Sequence, residues 1–235
     1  MAPDDQLASR IRRTLARAGD PERAAQQAAY MKSSLPFHGV AKTALPALLR
    51  PLLTPWPFPN RDAWEAAVRD VWDGATHREE RYAALHIAGH RHARLWQDID
   101  TLSLHRDLIV GGAWWDFVDE IATRLVGPIL LAHPDAATPV VDGWAIADDR
   151  WLRRAAILAQ LKHRTATNTD LLRRCIVANL EPTPFGGEFF IRKAIGWALR
   201  EHAKTDAGWV RAFVVEFEDA LSPLSRREAM KHLRT

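Results

Sequence analysis

The chain has 235 residues, 47% of them hydrophobic and 26% charged, with 32 lysines and arginines against 29 acidic residues. It is long enough for one large domain or two small ones and for a sizeable core, while a single cysteine, Cys175, excludes a disulfide-stapled secreted domain. No apolar run approaches the roughly 20 residues of a membrane span, and the charged stretch 1–17 does not read as a signal peptide, so the expected setting is the reducing cytoplasm. In chain order, Leu7, Ile11 and Leu15 recur at helical spacing. Trp64, Val68, Val71 and Trp72 form an apolar stripe behind a capping candidate, Asn60. Tyr82, Leu85 and His86 share a third helix, and 114–131 reads as a fourth, stopped near Pro134. Further helices are expected over 150–162, 169–178, 188–201, 209–217 and 225–233. Strand alternation of useful length is absent, and Trp56-Pro57-Phe58-Pro59 reads as a rigid connector.

A dozen or so short helices with short loops suit a compact bundle or stacked helix pairs. Arginine-bearing helices return every 35 to 45 residues or so, which fits a degenerate HEAT-like repeat. The expected fold is all-α, a HEAT-like helical-repeat solenoid, curved with a basic concave face and formed by one domain over 1–235. Charge is concentrated: 150–204 holds eleven basic residues against four acidic ones, a local net of +7. Such an excess marks either a polyanion-binding face or a solvated charged surface.

Two helices carry candidate chemistry. In 188–201, Ile191, Ala194, Ile195, Ala198 and Leu199 make the core stripe. Phe190, Lys193, Trp197 and Arg200 lie on another face, where alternating rings and cations suit nucleic acid; packing of the rings on a neighbouring helix with snorkelling cations is the other reading. In Trp114-Trp115-Asp116-Phe117-Val118-Asp119, Trp115 and Asp119 are i,i+4 neighbours. Asp116 suits a helix start. Asp119 is mid-helix, where aspartate has poor propensity, so it either serves function or pairs with an arginine such as Arg153 or Arg154. His86, His90 and His92 have helical spacing but no partnering cysteine or carboxylate pair, so a packing role is expected and no metal is assigned. Cys175 reads as core. There is no phosphate loop and no serine or cysteine nucleophile signature.

Several segments resemble, in order, motifs of the DNA alkylation-repair family of HEAT-like-repeat glycosylases (AlkD-like). They are Gln27-Ala28-Ala29-Tyr30-Met31-Lys32 with Pro36-Phe37-His38-Gly39-Val40; Trp114-Trp115-Asp116-Phe117-Val118-Asp119; Trp151-Leu152-Arg153-Arg154; Phe189-Phe190-Ile191-Arg192-Lys193-Ala194-Ile195-Gly196-Trp197-Ala198-Leu199-Arg200; and Leu221-Ser222-Pro223-Leu224-Ser225-Arg226-Arg227-Glu228-Ala229. Ala41-Lys42 and the proline-rich 55–59 stretch depart from the family pattern. The resemblance implies an enzyme that grips duplex DNA and releases N3- or N7-alkylated purines without flipping the base into a pocket. It implies Asp119, Trp115 and Trp197 as the catalytic cluster and Arg154 and Arg200 as DNA contacts, with Lys193, Phe190, Tyr30 and Lys32 joining the DNA-binding set. No cofactor, no membrane partner and a monomer are expected. A preference for bulky natural-product adducts, or a non-catalytic module that binds distorted DNA, are the alternatives.

Overall fold

The computed structural model describes residues 6–55 and 58–233; Trp56 and Pro57 of the expected connector lie outside them. The described residues form fourteen α-helices, short 3-10 turns and one π turn, with no strand. The chain divides into two compact units, 1–97 and 98–235.

The first unit contains α1 (Leu7–Arg17), α2 (Pro21–Met31), α3 (Leu45–Leu53), α4 (Arg61–Asp73) and α5 (Arg78–Ala88). α1 buries Leu7, Ile11 and Leu15 as its spacing requires. Asn60 caps α4 by accepting the Ala63 N–H at 2.9 Å, and the buried indole of Trp64 donates to the Ile87 carbonyl at 3.0 Å, tying α4 to α5. Asp20 caps α2, with Pro21 in its first turn where the missing N–H costs nothing. After α2, Glu79 of α5 collects the backbone: its carboxylate accepts the N–H groups of His38, Gly39 and Val40 at 2.8–3.0 Å. Gly39 turns there with φ of 87°, and a Cβ would fall 1.9 Å from the Asp20 carbonyl oxygen, so only glycine fits.

The second unit contains α6 (Leu102–Gly112), α7 (Trp115–Ile121), α8 (Gly127–Ala132), α9 (Pro134–Ala145), α10 (Arg150–Leu158), α11 (Thr169–Val177), α12 (Phe189–His202), α13 (Ala207–Glu216) and α14 (Pro223–Ala229). α10 is its centre. It packs against α6, α7, α9, α11 and α12, and every residue from Trp151 to Leu158 is buried. The expected 114–131 helix is interrupted by the π turn Ala122–Val126 between α7 and α8, and Pro134 opens α9 directly after it. Helices α2, α3, α6 and α9 lie outside the helices read from apolar spacing. α3 and α9 each carry an interior proline, Pro51 and Pro139, whose lost hydrogen bond is outweighed by packing of Leu45, Leu49 and Leu53 in one case and Ala137, Val141 and Trp144 in the other.

His105 on α6 is fully buried, neither ring nitrogen has a hydrogen-bond partner, and burial pushes its pKa down to about 3. The unfolded chain binds that proton near pH 6.5 and the folded chain does not, so stability should fall by about 1.4 kcal/mol per pH unit below that point. Urea midpoints measured from pH 7.5 to 5 should decline, and His105→Leu should flatten the decline; equal slopes for both proteins would assign the pH dependence elsewhere.

Candidate active site

The site is assembled in the second unit from α7, α10 and α12. α7 starts at Trp115, whose preceding residue, Trp114, is extended, so the double tryptophan straddles the helix start. One turn on, Asp119 has a side chain 14% exposed. Its carboxylate faces Arg154 of α10 in a bidentate pair: Arg154 Nε donates to Oδ1 at 2.7 Å and an Nη to Oδ2 at 2.9 Å. The other Nη of Arg154 donates to the Phe190 carbonyl at the start of α12. One guanidinium thus joins three helices across 35 and 36 residues of sequence. The Arg154 side chain is 5% exposed. Charge-assisted forks of this kind fix orientation as well as adding energy.

Three residues after Asp119 the helix widens into the π turn, and the Thr123 hydroxyl donates to the Asp119 carbonyl at 2.7 Å. Single π turns are frequent at functional sites because they re-aim side chains without breaking a helix.

An aromatic group stands beside the pair. Phe190 lies 5.6 Å from Trp114 and 5.1 Å from Trp151 between ring centroids, and the Arg154 guanidinium lies 5.9 Å from the Phe190 ring. Phe190 therefore packs on tryptophans of α10 and of the α7 start. Trp114 and Trp151 belong to this group although apolar spacing did not single them out; the Trp-Trp doublet and the tryptophan three residues before Arg154 were the available signals. Trp115 and Trp197 are each half-buried.

Arg153, next to Arg154, faces the other way. It donates to the carbonyls of Ile146, Ala147 and Ala178 and to the Asn179 side chain, and lies 4.3 Å from the Phe185 ring centroid. It is a brace for the α9–α10 and α11–α12 connections, and of the two arginines it is Arg154 that pairs with Asp119.

The other cations of the α12 stripe meet a carboxylate from α14. Glu228 accepts from Arg200 and lies 3.8 Å from Lys193. Gly196 makes this possible, since a Cβ there would stand 2.7 Å from Glu228 Cβ. Arg173 pairs with Glu216 and Arg174 with Asp142. The +7 window is thus offset by Asp119, Asp142, Glu216 and Glu228, all from outside it. Tyr30 and Lys32 belong to the first unit. Tyr30 is 76% exposed at a cleft of about 310 Å³ that also involves Gln27, Lys42 and Tyr82, and Lys32 ends α2 in the left-handed conformation.

A cavity of about 370 Å³ lies at the C-terminal ends of α10 and α12, lined in part by Ile157, Arg164 and His202. None of the candidate residues lines it. Burial pushes the Cys175 thiol up to about 12, which leaves it inert, in keeping with a core role. His90 accepts the His92 N–H through Nδ1 and packs edge-on against its ring, and the His86, His90 and His92 ligand atoms do not converge.

The family model described as "DNA alkylation repair enzyme" matches residues 11–233, across both units. The chain belongs to the DNA alkylation repair enzyme family. A solved structure described as a "Predicted DNA alkylation repair enzyme from Enterococcus faecalis" is 30% identical, covers 92% of this chain and 97% of its own, and superposes with a TM-score of 0.79. No curated protein matches the chain. Membership carries a role in the repair of alkylated DNA, and the all-helical repeat fold is that of the family. No described helix is long and apolar enough to cross a membrane.

Proposed function

We propose that the protein is a monofunctional DNA glycosylase that hydrolyses the N-glycosidic bond of cationic N3- or N7-alkylated purines in duplex DNA. The observation that carries this reading is the Asp119–Arg154 fork: a partly exposed carboxylate at the end of a buried, three-helix brace, one turn from Trp115.

The chemistry asks little more. An N3- or N7-alkylpurine carries a positive charge, so when its bond to C1′ breaks the electron pair leaves with the base, which departs neutral. No general acid is needed, in contrast to ordinary glycoside hydrolysis with its two carboxylates. The sugar left behind is oxocarbenium-like. Asp119, aimed by Arg154, stabilises that cation and orients the water whose oxygen attacks C1′, with the water's proton passing to the carboxylate or to solvent. Trp115 and Trp197 offer ring faces to the cationic sugar. As the family resemblance implies, the base leaves without being flipped into a pocket.

Lys193 and Arg200 take phosphates in exchange for Glu228, and Tyr30 and Lys32 of the first unit are separate candidate DNA contacts. Arg154 and Phe190 support that surface from beneath, Arg154 by aiming Asp119. Glu228→Gln should then tighten binding to undamaged duplex about 3- to 10-fold near 0.1 M salt and steepen the salt slope by about one. Unchanged or weaker binding would remove Lys193 and Arg200 from the DNA-contact set.

The direct test is incubation with a duplex containing N7-methylguanine and measurement of free base. Release supports a glycosylase. Tight binding with no release from methylated or bulky-adduct duplex would leave a non-catalytic DNA-binding module. Faster release of a bulky adduct than of a methylpurine would assign the specialised substrate class.

A further inference from the structure

Outside the site just described, a second cluster of ligating side chains lies within the first unit. His38 Nε2 stands 3.0 Å from Glu80 Oε1, and His77 Nδ1 stands 3.6 Å from the same oxygen. All three donor atoms lie within 4.8 Å of one another. The two imidazoles are stacked, 3.7 Å apart and 11° from parallel, and so present nitrogens side by side. Side-chain exposure is 8% for His38, 31% for His77 and 2% for Glu80.

Tetrahedral zinc with bonds of about 2.0–2.1 Å sets its ligand atoms about 3.3–3.4 Å apart. The two separations from Glu80 Oε1 bracket that value. Without an ion the cluster is held by hydrogen bonds. The His38 ring N–H and the Thr76 hydroxyl, 3.2 Å away, both reach Oε1, while His77 Nδ1, 3.6 Å from that oxygen, is 3.0 Å from the Thr76 hydroxyl, a contact that an ion would replace. A divalent ion between the three atoms engages both imidazoles at once. The outer shell is already arranged. Glu80 Oε2 accepts the Thr76 N–H at 2.9 Å and Arg12 Nε at 3.3 Å, which turns Oε1 toward the histidines. Partners of this kind orient metal ligands in established sites. Arg12 opposes a cation electrostatically, but it is engaged with the oxygen that faces away.

We propose that His38, His77 and Glu80 form a binding site for a divalent transition-metal ion of the zinc type, with solvent as the fourth ligand. The ion would clip the 37–40 loop, whose backbone Glu79 already holds, to the start of α5. The site is independent of the glycosylase reading and its test does not involve DNA.

The full-length protein, stripped with a chelator and dialysed, is titrated with zinc sulfate at pH 7.5 in a calorimeter. One zinc per chain is expected with a Kd of about 10 μM or tighter, together with a rise of several degrees in Tm at saturating metal. X-ray absorption of the zinc-loaded protein should show two imidazoles and oxygen donors at about 2.0–2.1 Å. His77 is the most exposed ligand, so His77→Ala should fold and should lose about tenfold or more in affinity, whereas His90→Ala should bind as the unaltered chain does. Absence of stoichiometric binding to the unaltered protein overturns the proposal. So does binding that survives His77→Ala or is lost in His90→Ala.

Discussion

Asp119→Asn should lower the release of 7-methylguanine from a methylated duplex by roughly a hundred- to ten-thousand-fold, while the affinity for undamaged duplex changes about twofold or less. The substitution keeps the shape of the side chain and removes the negative charge. Release needs that charge twice, against the developing sugar cation and to hold the attacking water, whereas binding depends on phosphate contacts made elsewhere. The same change leaves the Arg154 guanidinium, 5% exposed, without its counter-ion, so a fall in Tm is expected alongside. Single-turnover base release and filter binding at a temperature where circular dichroism shows the variant folded separate the effects. A variant that retains release would take Asp119 out of the chemistry and leave it as the partner of a structural arginine.

The second large effect is at Arg154. Arg154→Ala removes the fork to the Asp119 carboxylate and the hydrogen bond to the Phe190 carbonyl. Loss of one member of a buried ion pair costs on the order of 3 kcal/mol or more, and base release should fall with it because the anion is no longer aimed. Lysine cannot form the fork, so Arg154→Lys should recover only part of either property. The slope of log K against log salt distinguishes support from direct contact. A change well below one is expected from the geometry, and a drop of about one would mean that Arg154 takes a phosphate. Combining Asp119→Asn with Arg154→Met should recover stability relative to the single changes without recovering release, since an uncharged pair leaves no buried charge uncompensated.

Among the helices, legibility followed locality. The stripe Leu7, Ile11, Leu15, the cap at Asn60 and the core face Ile191, Ala194, Ile195, Ala198 all stand as their spacing requires, because a helical period and a cap are settled within one to three turns. Where local chemistry argued against a helix, as with the prolines of α3 and α9, apolar contacts from neighbouring helices outweighed it. The π turn after Asp119 did not stand out in the apolar pattern, although Phe117, Ile121, Leu125 and Ile129, all buried, recur every four residues rather than every 3.6.

The candidate site divides in the same way. Spacing alone placed Trp115 and Asp119 on one turn of a helix, and Phe190, Lys193, Trp197 and Arg200 on one stripe. It left two arginines, Arg153 and Arg154, as equal candidates for Asp119, and the packing of α10 between α7 and α12 selected Arg154 while turning Arg153 into a brace for backbone carbonyls. The uneven charge visible at the outset was likewise a property of the chain as a line. Four cations of the +7 window find carboxylates 28 to 43 residues away, Glu228 for Arg200, Asp142 for Arg174, Asp119 for Arg154 and Glu216 for Arg173. The sequence by itself determined an all-helical protein, several of its core faces and a set of candidate site residues, because helix formation and amphipathicity are short-range. Only the tertiary structure decided which ions meet, because charge pairing is set by distance in space, and helix packing brings together residues that no local pattern relates.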